Sequence, residues 1–292
     1  MCEYKYKRVC GPFELGEGPH WDEFNQSLYF VDCHAGDFYK LDVETNKFEK
    51  VHLGGIVTII IPWSGEDNNF IVSRTKDLLK LNWSTQEAKL LASVESTISN
   101  TRFNDGKCDR KGRLWVGTMC RETSSNTCAL DIASLYSMDG NFKVTKHLDK
   151  ISISNGMLKI YLFDYDIDDG IISNKQTFFD FAKQDSNENE FPDGMTVDAF
   201  DKLWVASFNG GRVLRIDPET GKILKDIRFD DVSRITSVCF DGLHLNQLFV
   251  TSPYIGLSEE RKKQEANAGY LFQVTFEKEN IKGLIADRFI GS

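Results

Sequence analysis

A chain of 292 residues, 41% hydrophobic and 27% charged, is long enough to bury a large core and is balanced as globular proteins are. Its formal net charge of −9, with lysine and arginine scattered, excludes the basic stripe that a nucleic-acid partner requires. The longest apolar run, Val57 to Trp63, falls far short of the ~18 residues of a membrane span, so no membrane partner is expected.

The chain opens on Met1-Cys2-Glu3-Tyr4-Lys5-Tyr6-Lys7, which lacks the apolar centre of a signal peptide. Its 7 cysteines follow no scaffold spacing and form no CxxC pair. Free thiols and a cytoplasmic location are the expectation, with Cys108, Cys120 and Cys128 read as inert buried thiols.

The predicted elements recur as strand pairs. Leu28 to Asp32 precedes Phe38 to Asp42, and Phe70 to Ser73 precedes Leu78 to Asn82. Leu114 to Thr118 is followed, after a longer loop, by Leu135 to Asp139. Leu203 to Ser207 precedes Val213 to Asp217 across Asn209-Gly210-Gly211, a glycine hairpin signal. Leu248 to Thr251 pairs with Tyr270 to Val274 beyond another long loop, in which Ser258 to Ala266 is either a short helix or a charged loop. Polar residues such as Asn25-Gln26, Lys111-Gly112 and Asp201-Lys202 precede the pairs, as strands require.

Successive pairs start roughly 40–45 residues apart, except for one interval about twice as long, and this spacing is that of a β-propeller blade. The expected fold is all-β: one propeller domain over residues 1–292 with six blades. The double interval places the missing copy between residues 139 and 190, where Ile160 to Asp166 is its remnant. After Gly156 only Met157 to Asp166 is left for strands that elsewhere need more chain, so the fourth blade is expected to be incomplete.

Four turns share one form, a polar oxygen-bearing residue beside glycine. They are Gly16-Glu17-Gly18-Pro19-His20-Trp21, Arg102-Phe103-Asn104-Asp105-Gly106-Lys107, Ile153-Ser154-Asn155-Gly156 and Pro192-Asp193-Gly194. Each is expected just before an innermost strand, where loops distant in sequence converge on the channel mouth. Carboxylate and amide oxygens form a hard ligand set suited to Ca²⁺, Mg²⁺ or Mn²⁺, with Zn²⁺ open through oxygen ligation. No Gly-x-Ser-x-Gly elbow is present, and the histidines have no metal-binding spacing, so covalent catalysis is not expected. His20 reads as a structural support of the Glu17 turn.

These motifs, with Gly117-Thr118-Met119 and Asn209-Gly210-Gly211-Arg212, resemble the regucalcin / senescence-marker protein / gluconolactonase family, which includes the insect luciferin-regenerating enzymes. The resemblance runs from about residue 11 to the C-terminus. It implies a six-bladed propeller with one divalent cation (Ca, Zn, Mn or Mg) held by Glu17, Asn155 and Asp193. It implies that Arg102, Asn104 and Glu122 meet substrate, and that sugar lactones or related small esters are hydrolysed. Asp193 is the expected general base, since it reaches both cation and water. The chain departs from the family pattern after Gly156, where Met157-Leu158-Lys159-Ile160-Tyr161-Leu162 leads directly to Phe163-Asp164-Tyr165-Asp166. Two alternatives accompany the lactonase reading: a calcium-binding regulator without turnover, and a luciferin-regenerating type of hydrolase acting on a non-sugar substrate. A monomer is expected.

Overall fold

The computed structural model describes residues 4–45, 47–121, 131–151, 158–184, 190–277 and 279–292. The fold is an all-β propeller, and its described residues form five four-stranded antiparallel blades and one further sheet of two strands. After β1 (Tyr4–Cys10), the first blade runs β2 (Gly16–Asp22), β3 (Ser27–Asp32), β4 (Asp37–Asp42) and β5 (Lys47–His52). The second is β6 (Ile60–Pro62), β7 (Asn69–Arg74), β8 (Asp77–Asn82) and β9 (Ala88–Ser93), and the third is β10 (Thr101–Cys108), β11 (Leu114–Cys120), β12 (Ala133–Met138) and β13 (Val144–Ile151). The two-stranded sheet joins β14 (Lys159–Asp166) to β15 (Ile171–Asp180). A full blade follows in β16 (Phe191–Val197), β17 (Leu203–Phe208), β18 (Arg212–Ile216) and β19 (Ile223–Arg228). The last blade takes β20 (Ser237–Asp241), β21 (Gln247–Thr251) and β22 (Leu271–Phe276), and β1 completes it by pairing Tyr4 with Phe276 and Cys10 with Leu271. The N-terminal strand thereby ties the two ends of the chain into one sheet.

The strand pairs read from the sequence are the middle strands of each blade, not its first. β3, β7, β11, β17 and β21 are the second strands, and each is preceded by an innermost strand that carries a glycine-rich motif or a short apolar run. The middle strands are legible because both faces are buried, as in β3 (Ser27–Asp32), every residue of which is buried. The Val57 to Trp63 run is buried as expected, but only Ile60–Pro62 of it forms a strand. The charged stretch after Leu257 is the short helix α1 (Glu259–Gln264), capped by Ser258, whose side chain accepts from the Arg261 N–H.

Apolar side chains pack between neighbouring blades. Phe30, Trp204, Phe249 and Phe272 share one cluster, while Ile61, Trp63, Phe103 and Phe289 share another. The two-stranded sheet is held from both sides. Ile160, Phe179 and Phe181 pack on Val205, Leu214 and Ile216 of the following blade. Tyr165 meets the third blade edge-on at Trp115, with ring centroids 5.4 Å apart, and its hydroxyl donates to the Asp109 carboxylate. Ile160 to Asp166, read as the remnant of the missing repeat, lies in β14, and its partner β15 is a ten-residue strand that the sequence reading did not foresee.

Among the described residues Cys10, Cys108 and Cys239 are free thiols. Cys120 is not: it is disulfide-bonded, which corrects the expectation that all were inert thiols. Among the described residues no helix is long and apolar enough to cross a membrane.

Candidate functional site

The site begins with three interruptions of strand pairing. The register of β2 against β3 slips between Glu17 and His20, that of β10 against β11 between Phe103 and Gly106, and that of β16 against β17 between Pro192 and Met195. The motifs expected as turns ahead of the innermost strands are therefore β-bulges inside them. A bulge leaves a residue out of the ladder and re-aims its side chain, a common device next to functional sites. Here the residues left out are Gly18-Pro19, Asn104-Asp105 and Asp193-Gly194. At Gly18, φ is +53° and a Cβ would lie 2.6 Å from the Thr58 carbonyl oxygen, so both conformation and space demand glycine.

The three bulges converge electrostatically. Burial, then the charges of Asp193 and Asp105, push the Glu17 carboxyl well above its ordinary range, while the Gly18 N–H and Arg102 pull the other way. Burial also raises Asp105, whose Oδ1 accepts from the Gly106 N–H at 2.7 Å. Glu17 Oε2 accepts from the Gly18 N–H at 3.0 Å. Asp193 and Asp105, each from another blade, thus act on the Glu17 carboxylate, with Arg102 as the cation that offsets them. Arg102 is buried, and its Nη1 donates to the Phe103 carbonyl at 3.0 Å and to Asn104 Oδ1 at 3.4 Å, so Arg102 and Asn104 form one polar unit.

Thr236 locks two of the bulges together. Its carbonyl accepts from the Gly194 N–H at 2.7 Å, and its hydroxyl donates to the Gly16 carbonyl at 2.6 Å. The sequence reading missed Thr236, which lies outside the glycine motifs, and gave Asp105 no role although it sits within one. Below the bulges a cavity of about 20 Å³, enough for one water, opens beside Gly18, His20, Asp105, Lys107 and Ser237. Burial and the Lys107 ammonium hold the His20 imidazole down to about 3, so the ring is neutral. His20 lines this cavity and makes no hydrogen bond to the Glu17 turn among the described residues, which corrects its reading as a support for that turn.

Glu17, Asp193, Arg102 and Asn104 are thus placed on inner strands of three blades. Asn155 and Glu122 lie outside the described residues. Among the described residues no three His, Cys, Asp or Glu side chains gather as a metal cluster. The expected ligand set contains only two such side chains, Glu17 and Asp193, plus an amide. The donor chemistry fits a cation all the same, because Glu17 is destabilised as an anion by burial and by two neighbouring carboxylates, and a divalent ion reverses both effects.

Residues 15–254 match the family model described as SMP-30/Gluconolactonase/LRE-like region. The chain belongs to this family. Within it, the chain is 35% identical over 276 residues to regucalcin of Macaca fascicularis, covering 89% of this chain and 90% of that one. It is 34% identical to human regucalcin over the same shares. Among solved structures, a luciferin-regenerating enzyme superposes with a TM-score of 0.90 at 29% identity, covering 98% of this chain and 99% of that one. A calcium-binding protein, regucalcin, from Agrobacterium tumefaciens superposes with a TM-score of 0.87 at 21% identity, over 98% and 97% of the two chains. A Xanthomonas campestris gluconolactonase shares the fold, with a TM-score of 0.72 at 16% identity over 94% and 90%. The family resemblance read from the bulge motifs is thereby shown.

Proposed function

We propose that this chain is a divalent-cation-dependent hydrolase of sugar lactones or related small esters, with calcium, zinc, manganese or magnesium as the candidate ions. The observation that carries the proposal is the charge of Asp193 and of Asp105 acting on the Glu17 carboxylate from two other blades, a repulsion that a bound cation would relieve. Glu17, Asp193 and Asn155 would hold the ion. When bound, it would act as a Lewis acid on the lactone carbonyl oxygen.

The remaining steps belong to the protein's own side chains. Arg102, anchored on the Phe103 carbonyl, and its neighbour Asn104 would fix ring hydroxyls of the substrate, a role that the family resemblance also gives Glu122. Holding the ring in place removes much of the entropic cost of the encounter. The Asp193 carboxylate would take a proton from the attacking water as its oxygen bonds to the carbonyl carbon. The acyl C–O bond of the ring would then break, and the proton held by Asp193 would pass to the leaving ring oxygen, giving an open hydroxy acid.

We infer further that the ring counts six blades, with β14–β15 as the outer half of an incomplete one. Its place in the chain and its contacts with the blades before and after it support this reading. That incompleteness also favours a second reading, cation binding as a regulator without turnover, because Asn155 lies just ahead of the shortened segment. Similarity to a luciferin-regenerating enzyme supports a non-sugar ester as a third substrate option.

The test is hydrolysis of several lactones with each cation in turn. Asp193→Ala should lower kcat by about a hundredfold or more, the lower end of what a general base contributes, with the circular-dichroism spectrum unchanged. Wild-type turnover in the variant at saturating cation would refute the assignment. Cation binding by the parent chain without turnover of any lactone would establish the regulator instead.

A further inference from the structure

We infer that Arg234 is a specificity residue at the channel mouth that selects substrates carrying an anionic group. The inference rests on the lactonase reading and names the substrate class for the same site.

Arg234 stands two residues before Thr236, whose backbone and hydroxyl join the Gly194 and Gly16 bulges. Its guanidinium lies 5.2 Å from the centre of the Phe208 ring, and Phe208 pairs with Phe191 at the start of the strand that carries Asp193. Nε donates to Asn209 Oδ1 at 3.3 Å and Nη1 to the Ile255 carbonyl at 2.5 Å. Both acceptors are neutral, and Nη2 makes no hydrogen bond among the described residues. The acid that acts on it, Glu265, is committed elsewhere: its Oε1 takes Arg261 Nε at 2.9 Å, and its Oε2 takes the N–H and the hydroxyl of Ser233 at 2.9 and 2.8 Å. Two guanidinium groups, Arg234 and Arg261, therefore feel one carboxylate, and it is Arg261 that bonds it.

That arrangement is unusual in a chain with 44 acidic and 35 basic residues. A half-buried guanidinium has lost part of its hydration, and burial, then Arg261, lowers its pKa by more than Glu265 restores. A purely structural tether between Asn209 and Ile255 needs donors but no charge. The planar fork of arginine instead matches the two oxygens of a carboxylate or phosphate, and the Phe208 face steadies the plane on which such a group docks. The substrate class is thus a lactone with an anionic substituent remote from the reacting carbonyl.

The experiment compares D-glucono-1,5-lactone with 6-phosphoglucono-1,5-lactone, a phosphate arm, and with D-glucaro-1,4-lactone, a carboxylate arm. Arg234→Gln keeps a hydrogen-bonding side chain and removes the charge. It should lower the anionic-to-neutral ratio of kcat/KM by about ten- to hundredfold, as loss of a charge-assisted hydrogen bond does, and Arg234→Lys should restore part of it. The arm with the larger change identifies the anion. An unchanged ratio, with both substrates losing alike, makes Arg234 a structural tether and overturns the inference. A second measurement does not need turnover: calorimetric binding of D-glucitol 6-phosphate against D-glucitol to the cation-loaded wild-type protein. The phosphate should bind about tenfold or more tightly, and equal affinities overturn the inference even where Arg234→Gln does not fold. Absence of all lactone hydrolysis with a preserved phosphate preference would instead remove the lactonase reading alone.

Discussion

The β14–β15 sheet and the blade of residues 191–228 follow one another in the chain and pack on each other, yet they are held by different means. In the blade, β16 to β19 form an unbroken ladder order, and Val205, Leu214 and Ile216 are fully enclosed. Glu190 receives Arg212 through two bonds, Nε–Oε1 at 2.7 Å and Nη2–Oε2 at 2.9 Å, and also the Ser207 hydroxyl. The short sheet, among the described residues, pairs β14 with β15 alone. Its Ile160 and Phe179 are buried against the blade, yet Leu162 and Ile171 are 53% and 55% exposed. The contrast teaches that an apolar strand pattern buries itself only where a neighbouring face exists to receive it. The blade is stabilised by its own ladder and internal ion pair, whereas the short sheet depends on contacts lent by others.

The sharpest way to break this comparison is Arg212→Ala. The variant leaves the buried Glu190 carboxylate without its cation, and stability should fall by about 3–5 kcal/mol in urea denaturation. A loss no greater than that of a surface ion pair would show that the blade does not rely on this clamp. Completing the short sheet sharpens the comparison from the other side. Inserting an inner strand pair after Gly156 should raise the melting temperature, with about 1 kcal/mol from Leu162 alone, since roughly half of that side chain remains to be covered. It should tighten cation binding as well, through Asn155. No gain in either measurement would mean that β14 needs no further strand.

The smallest effect asks whether a full ladder is sufficient. The last blade is complete, yet Asp241 is fully buried in it with Oδ2 on Gln273 Nε2 at 2.9 Å and Oδ1 without a partner among the described residues. Burial raises this carboxyl from 3.8 to about 7. Its folded form therefore holds the proton over a range where the unfolded chain has released it. The resulting stability is fully present below 3.8 and is lost as pH rises through about 7. Asp241→Asn should remove that decline, gaining about 1 kcal/mol at pH 8 and nothing near pH 4 in parallel thermal melts. A pH profile identical to wild type would assign the decline to other groups.

Much of the fold was legible because the middle strands bury both faces and so read as dense apolar runs, as at Leu203 to Ser207 and Leu28 to Asp32. The innermost strands were not, since Gly16–Asp22 and Phe191–Val197 are broken by bulges rich in glycine and proline that resemble turns. The hairpin β14–β15 was half seen. Ile160 to Asp166 carried the signal, while β15, with most of its residues exposed, lacked the apolar run that marks a buried strand.

The sequence by itself determined the repeat, the family and the residue types of the site, because bulge motifs such as Glu17-Gly18-Pro19 and Asp193-Gly194 are local demands of backbone conformation and donor chemistry. Only the tertiary structure decided which of these groups meet. The repulsion of Glu17 by Asp105 and Asp193, the bridge through Thr236 and the action of Glu265 and Arg261 on Arg234 all join residues far apart in the chain. Closing the ring brings those strands to a common mouth, and electrostatic coupling depends on distance in space, which sequence spacing does not encode.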